Sequence, residues 1–218
     1  MYGGTFLTPL FLQNIQRVSP IDTGIILIPQ AIAMAAMMPI AGKLFDKFGI
    51  VPLGLVGLTL TSFMTYHLHQ LTPDTSHAWL ETVMALRGLG IGICMMPLST
   101  VGMNAVHPSK VANASTASNL VRTVAASMAI AVLTAIMQSR SAAHAQQISE
   151  SITPDSAHTL QATLGSSWMS SISSLITLDA TSRGIGDTFL ISSIPLFCTI
   201  PLIFLFIQRK KAKTQPEA

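Results

Sequence analysis

Two long uncharged runs meet at a short charged stretch, and this pattern limits the possible folds more than any other feature. Thr23 to Ala41 carries no charged side chain, and neither does Val51 to Tyr66. Between them lies Gly42-Lys43-Leu44-Phe45-Asp46-Lys47-Phe48-Gly49. An α-helix rises about 1.5 Å per residue, so roughly 20 apolar residues cover the ~30 Å hydrocarbon core of a bilayer. Lipid offers no partner to backbone N–H and C=O groups, so each run must close its hydrogen bonds internally, as a helix. Two such helices joined by this turn form a membrane hairpin. Lys43 and Lys47 place the turn on the cytoplasmic side, where short basic loops are retained. Gly42 and Gly49 let the backbone turn at each end. Asp46 is placed to cap the next helix or to pair with a cation.

Composition extends the membrane reading to the whole chain. Half of the 218 residues are hydrophobic and only 10% are charged, with mean hydropathy +0.55. That is too apolar for an ordinary soluble domain. The net charge of +3 comes largely from loop and tail lysines and calls for no nucleic-acid partner. Arg209-Lys210-Lys211-Ala212-Lys213 follows an apolar run and reads as a basic cytoplasmic tail, over 209–218. Cys94 and Cys198 lie in apolar runs without metal-ligand spacing, so both read as buried thiols rather than a disulfide or ligands. Met1 to Leu12 lacks the basic region of a signal peptide.

Taken in order, residues 1–13 read as the end of a truncated membrane helix, too short to span. Four spans follow at about 23–41, 51–68, 79–106 and 111–137, the first closed by Pro39. His67, His69, Asp74 and His77 crowd an outer loop without metal-ligand spacing, which predicts a hydrated loop and no metal. In the third span Gly88 and Gly92 stand four apart and leave bare backbone for another helix to approach. The fourth span is rich in Ala, Ser and Thr, with Asn113, Asn119 and Arg122, which predicts a lining of protein or water. Ala114, Ser118, Arg122 and Ala126 share one of its faces as a predicted packing contact. The 139–187 segment reads as an extracytoplasmic insert. Leu160, Leu164, Trp168, Ile172 and Leu175/Ile176 predict an amphipathic helix within it, lying on the outer leaflet. The last span is 188–208.

Gly42-x-Leu44-x-Asp46-Lys47-x-Gly49 resembles the cytoplasmic gating loop between the second and third helices of each half of major facilitator superfamily transporters. Arg87-Gly88-Leu89-Gly90-Ile91-Gly92 with Met96-Pro97 resembles that superfamily's tenth helix. Val111-Ala112-Asn113-Ala114-Ser115 through Asn119-Leu120-Val121-Arg122 resembles the following helix of the fourteen-helix drug:proton antiporters of the EmrB/QacA type. The resemblance covers essentially the whole chain, matched to that family's C-terminal portion. It implies an all-α, polytopic membrane helix bundle in the bacterial cytoplasmic membrane, without cofactor. It also implies multidrug efflux by proton antiport, once the chain is joined to a missing N-terminal half that carries the proton-coupling carboxylates.

The substrate-cavity candidates are Arg87, Arg122, Asn119, Met95 and Met96. A cation at bilayer depth costs at least about 2.5–3.5 kcal/mol and must face water or an acceptor. Methionines suit a promiscuous pocket, and packing or lipid contact equally well. Expected partners are membrane lipid, small amphipathic substrates and the N-terminal half; a periplasmic adaptor is left open. No span presents paired carboxylates, a Ser-His pair or a metal cluster, so the chain does not read as an enzyme. The alternatives are a fragment of a facilitator for another solute and a non-transporting membrane remnant.

Overall fold

The computed structural model describes residues 2–104, 106–151 and 168–212. Six α-helices carry them: α1 Tyr2–Asn14, α2 Pro20–Phe48, α3 Ile50–His67, α4 His77–Asn104, α5 Val111–Ser151 and α6 Trp168–Ala212. Short 3-10 turns at Leu68–Gln70 and Pro108–Lys110 lead out of α3 and into α5. No strand occurs among the described residues. Five helices are long and apolar enough to cross a membrane, and α1, at 13 residues, is not.

The helices begin and end where local chemistry directs. At the start of α2 the Ser19 hydroxyl accepts the Asp22 N–H at 3.1 Å, and Pro20 supplies a fixed φ at the first helical position. The helix stops at Gly49, which has φ 79° and ψ −176°, a combination closed to other residues. The charged stretch is therefore not a loop. Gly42 through Phe48 form the last two turns of α2, and Gly49 alone turns the chain. Gly42 makes no turn, and Asp46, inside α2, does not cap α3, whose first turn has no side-chain cap. Pro39 does not close the first span either. It lies within α2, where one lost hydrogen bond leaves the helix unbroken.

The last two helices also outrun the expected spans. Ser141-Ala142-Ala143-His144-Ala145-Gln146-Gln147 is polar but favours helix, and α5 continues through it to Ser151. From Trp168 to the last span α6 is unbroken, so Trp168, Ile172, Leu175 and Ile176 belong to the same helix as that span rather than to a separate one. Leu160 and Leu164 lie outside the described residues.

The core is concentrated at one end. Leu7, Phe11 and Leu12 of α1 pack with Leu68, Leu71, Leu80, Met84, Ile185 and Phe189 in a single buried cluster. Toward the other end a smaller cluster of Ala41, Leu53 and Ile93 is buried. Many hydroxyls in the spans are satisfied within their own helices, although those of Thr23, Ser62 and Ser182 are buried without a partner. On α5, Thr116, Thr123, Ser127 and Thr134 each donate to the carbonyl four residues earlier, at 2.8 to 3.1 Å. These four hydroxyls therefore need no partner outside α5.

Candidate functional site

The site is framed by a helix with glycine on two faces. A Cβ at Gly88 would fall on the backbone of Gln30, and one at Gly92 would meet the Met34 carbonyl at 2.9 Å. Both glycines therefore seat α4 on α2, as their spacing predicts. Gly90 faces the other way: a Cβ there would meet Thr61 Oγ1 at 2.5 Å and the Gly57 carbonyl at 2.9 Å, both on α3. Gripped by α2 and α3, α4 forms a fixed wall. By contrast, α5 packs mainly on α6, where Gly184 admits Ser141 and His144 Nε2 lies 2.9 Å from Asp187 Oδ2. Near the 107–110 turn α4 and α5 are therefore joined in sequence but not packed along their length, and a cleft opens between them.

That cleft is about 620 Å³. One wall is Met95, Leu98, Ser99, Gly102 and Met103 of α4, with Val106 just beyond its end; the other is Ala114, Ala117, Ser118 and Arg122 of α5. Each wall follows helical spacing, so one face of each helix supplies it. Of the expected cavity residues, Met95 and Arg122 lie in this cleft. Met96 and Asn119 are exposed but do not line it, because each stands one residue off the lining face. Ala114 and Ser118, expected to pack on a neighbour, line the cleft. Among the described residues Arg122 makes no ion pair, and no carboxylate lines the cleft. Leu98, Ser99 and Gly102 were not singled out by sequence, although their spacing from Met95 marks them as one face.

Arg87 occupies a different place. It is 1% exposed, inside the helix packing and away from the cleft. Its Nε donates to Thr65 Oγ1 of α3 at 3.3 Å, and the guanidinium lies against Gly4 of α1. Any side chain at Gly4 would collide with it. Arg87 thus ties α4 to α1 and α3 and does not line this cleft. The expected gating residues Lys43, Asp46 and Lys47 are exposed near the end of α2, where Lys47 Nζ stands 5.4 Å from the Phe48 ring centroid. Cys94 is buried beside Gly54, but Cys198 is exposed, against expectation.

Sequence comparison now places the chain among known proteins. Residues 1–130 match the family model of the Major Facilitator Superfamily. An MFS-type transporter of Bacillus subtilis, YhcA, is 33% identical over 98% of this chain and 43% of its own length. A second from that organism, YcnB, is 35% identical over 66% of this chain and 30% of its own. A multidrug resistance protein B homolog of Mycobacterium tuberculosis is 30% identical over 63% of the chain and 26% of its own length. The chain thus spans less than half the length of these relatives. The five membrane-capable helices, the family match and the relatives together show that this multi-pass membrane chain belongs to the Major Facilitator Superfamily.

Proposed function

We propose that the chain supplies the C-terminal half of a multidrug exporter in the bacterial cytoplasmic membrane, with the α4–α5 cleft forming part of the substrate path. The observation that carries this reading is Arg122, a cation without an ion pair among the described residues, in a cleft otherwise lined by apolar and small side chains. A charge at bilayer depth is costly and marks a solute path more often than a structural accident. A 620 Å³ space also falls within the usual range for small-molecule sites, about 300–1,000 Å³. Relatives named as multidrug resistance proteins support export of drug-like amphipaths.

Proton antiport needs a protonatable group at depth. Asp22, Asp46 and Glu81 lie near helix ends, Asp179 and Asp187 lie inside α6 but pair with Arg183 and His144, and none of the five lines the cleft. The coupling carboxylates are therefore assigned to the N-terminal half. The test is uptake of a fluorescent amphipath into inside-out proteoliposomes, driven by an imposed pH gradient, with the whole transporter reconstituted. Arg122→Ala should abolish uptake while the protein inserts in normal amount. Undiminished uptake would refute the role of the cleft. Uptake indifferent to the pH gradient would favour a facilitator over an antiporter.

A further inference from the structure

We infer that the α4–α5 cleft takes an amphipathic anion, its acidic head held by Arg122 and its apolar body laid on Met95, Leu98 and Met103. This inference rests on reading the cleft as the substrate site, and it names the class of compound. Arg122 is the only charged group among the lining residues, which otherwise carry only apolar side chains, the hydroxyls of Ser99 and Ser118, and Gly102. A planar guanidinium presents paired donors that match a carboxylate or sulfonate in a two-point contact. A cationic compound would meet like charge there, with no acid among the described lining residues to offset it.

Depth sharpens the choice between a bilayer phospholipid and a free amphipath. Arg122 stands eleven positions beyond Val111, the first residue of α5. At about 1.5 Å per residue that is roughly 16 Å along the helix axis from its first residue. A phospholipid headgroup stays at the surface, whereas a single-tailed or ring compound can carry its charge that far in along a protein wall. Arg122 gains most from such a ligand, because attraction between opposite charges strengthens as water is excluded. Lys110 is exposed in the turn next to the cleft and favours approach of the same class of compound.

The test uses the 218-residue chain in phosphatidylcholine nanodiscs, with empty nanodiscs as the blank. Two probes share a fluorophore and tail and differ only in the head: dansyl undecanoate and dansyl undecyl-trimethylammonium. The carboxylate should bind at least about tenfold more tightly than the ammonium, and Arg122→Gln should erase the difference. Arg122→Lys should keep part of it, which separates lost charge from lost folding. Ser118→Leu, which fills the cleft, should weaken both probes. Equal binding of the two heads, with Arg122→Gln silent and Ser118→Leu still effective, overturns the anion assignment and leaves the cleft standing. A silent Ser118→Leu overturns the cleft reading and this inference with it. Competitive loss of carboxylate binding on adding phosphatidylglycerol to the nanodiscs assigns the site to a lipid headgroup and also overturns it.

Discussion

Substituting Gly88 tests the packing that makes α4 a fixed wall. A Cβ built there overlaps the Gln30 carbonyl oxygen and lies 3.2 Å from both the Gln30 carbonyl carbon and its Cα. Carbon atoms pack best at about 3.5–4.0 Å, so α2 must withdraw by roughly half an ångström to one ångström, and a gap of that size forfeits a quarter to a half of each dispersion contact. The loss extends along the shared face, through Gly92, Met34 and Met37. Overpacking of this kind costs about 1–3 kcal/mol, against a gain of about 1 kcal/mol from alanine's better helix propensity. Gly88→Ala should therefore destabilise the chain by up to about 2 kcal/mol, lowering the melting temperature by up to roughly 8 °C for a chain of this size. Gly42→Ala is the control: its Cβ meets nothing within 4 Å, so only the propensity gain remains, and the sign reverses. The assay heats the purified chain in detergent, in a Cys198→Ser background, and follows a maleimide dye reacting with Cys94. At 7% exposure Cys94 becomes reactive only as packing opens. If Gly88→Ala melts at or above Gly42→Ala, the close approach of α2 and α4 is wrong.

Three further outcomes are expected. Gly49→Ala forces a side chain into a backbone region of φ 79°, ψ −176°; it should cost about 1–3 kcal/mol, read in the same melting assay, and an unchanged melting point would argue for a different turn. Ser19→Ala removes the hydroxyl that accepts the Asp22 N–H; it should cost about 1 kcal/mol and be largely rescued by Asn or Asp, which cap as well. In a background with Cys94 and Cys198 replaced by Ser, an impermeant maleimide added outside cells should label a cysteine at exposed Ser174 and miss one at exposed Lys110. The reverse pattern would invert the topology.

Much of the fold was legible because a membrane restricts the backbone so severely. Uncharged runs near 20 residues had to be helices, and the Gly88/Gly92 spacing had to bring a second backbone close. Helix ends were harder to read, because hydropathy reports where the apolar belt stops rather than where the helix stops. Lys43, Asp46 and Lys47 look like a loop, yet nothing between Gly42 and Phe48 breaks a helix. The polar stretch after Met137 continues α5 for the same reason.

The site was legible in part. Arg87 and Arg122 carry the same signal in sequence, a cation deep in a span, but their environments depend on helix rotation and on neighbours far along the chain. Gly3 and Gly4 decide the case of Arg87. Bare backbone at Gly4 is what receives the guanidinium, and Gly3 admits Leu133 from α5. No local pattern around Arg87 announces a contact 83 positions away, 87 − 4. Arg122, by contrast, shares its face with Ser118 and Ala114, and the i, i+4 spacing that grouped them also holds in the cleft. What the spacing did not reveal was whether that face is packed or open, because this depends on α5 docking on α6 rather than on α4.

The most direct test of the central claim is whether substrate occupies the α4–α5 cleft. Gly102 lines the cleft, is exposed, and has nothing within 4 Å of its Cβ direction, so Gly102→Cys introduces a thiol there without distorting the wall. In the whole transporter, with Cys94 and Cys198 replaced by Ser, a membrane-permeant maleimide should label this cysteine several-fold more slowly when a transported amphipath is present. Labelling at Gly24→Cys, which also meets open space but lies at the other end of α2's span, should not change. Equal rates at Gly102→Cys with and without the amphipath, while transport continues, would contradict the assignment of the cleft to the substrate path.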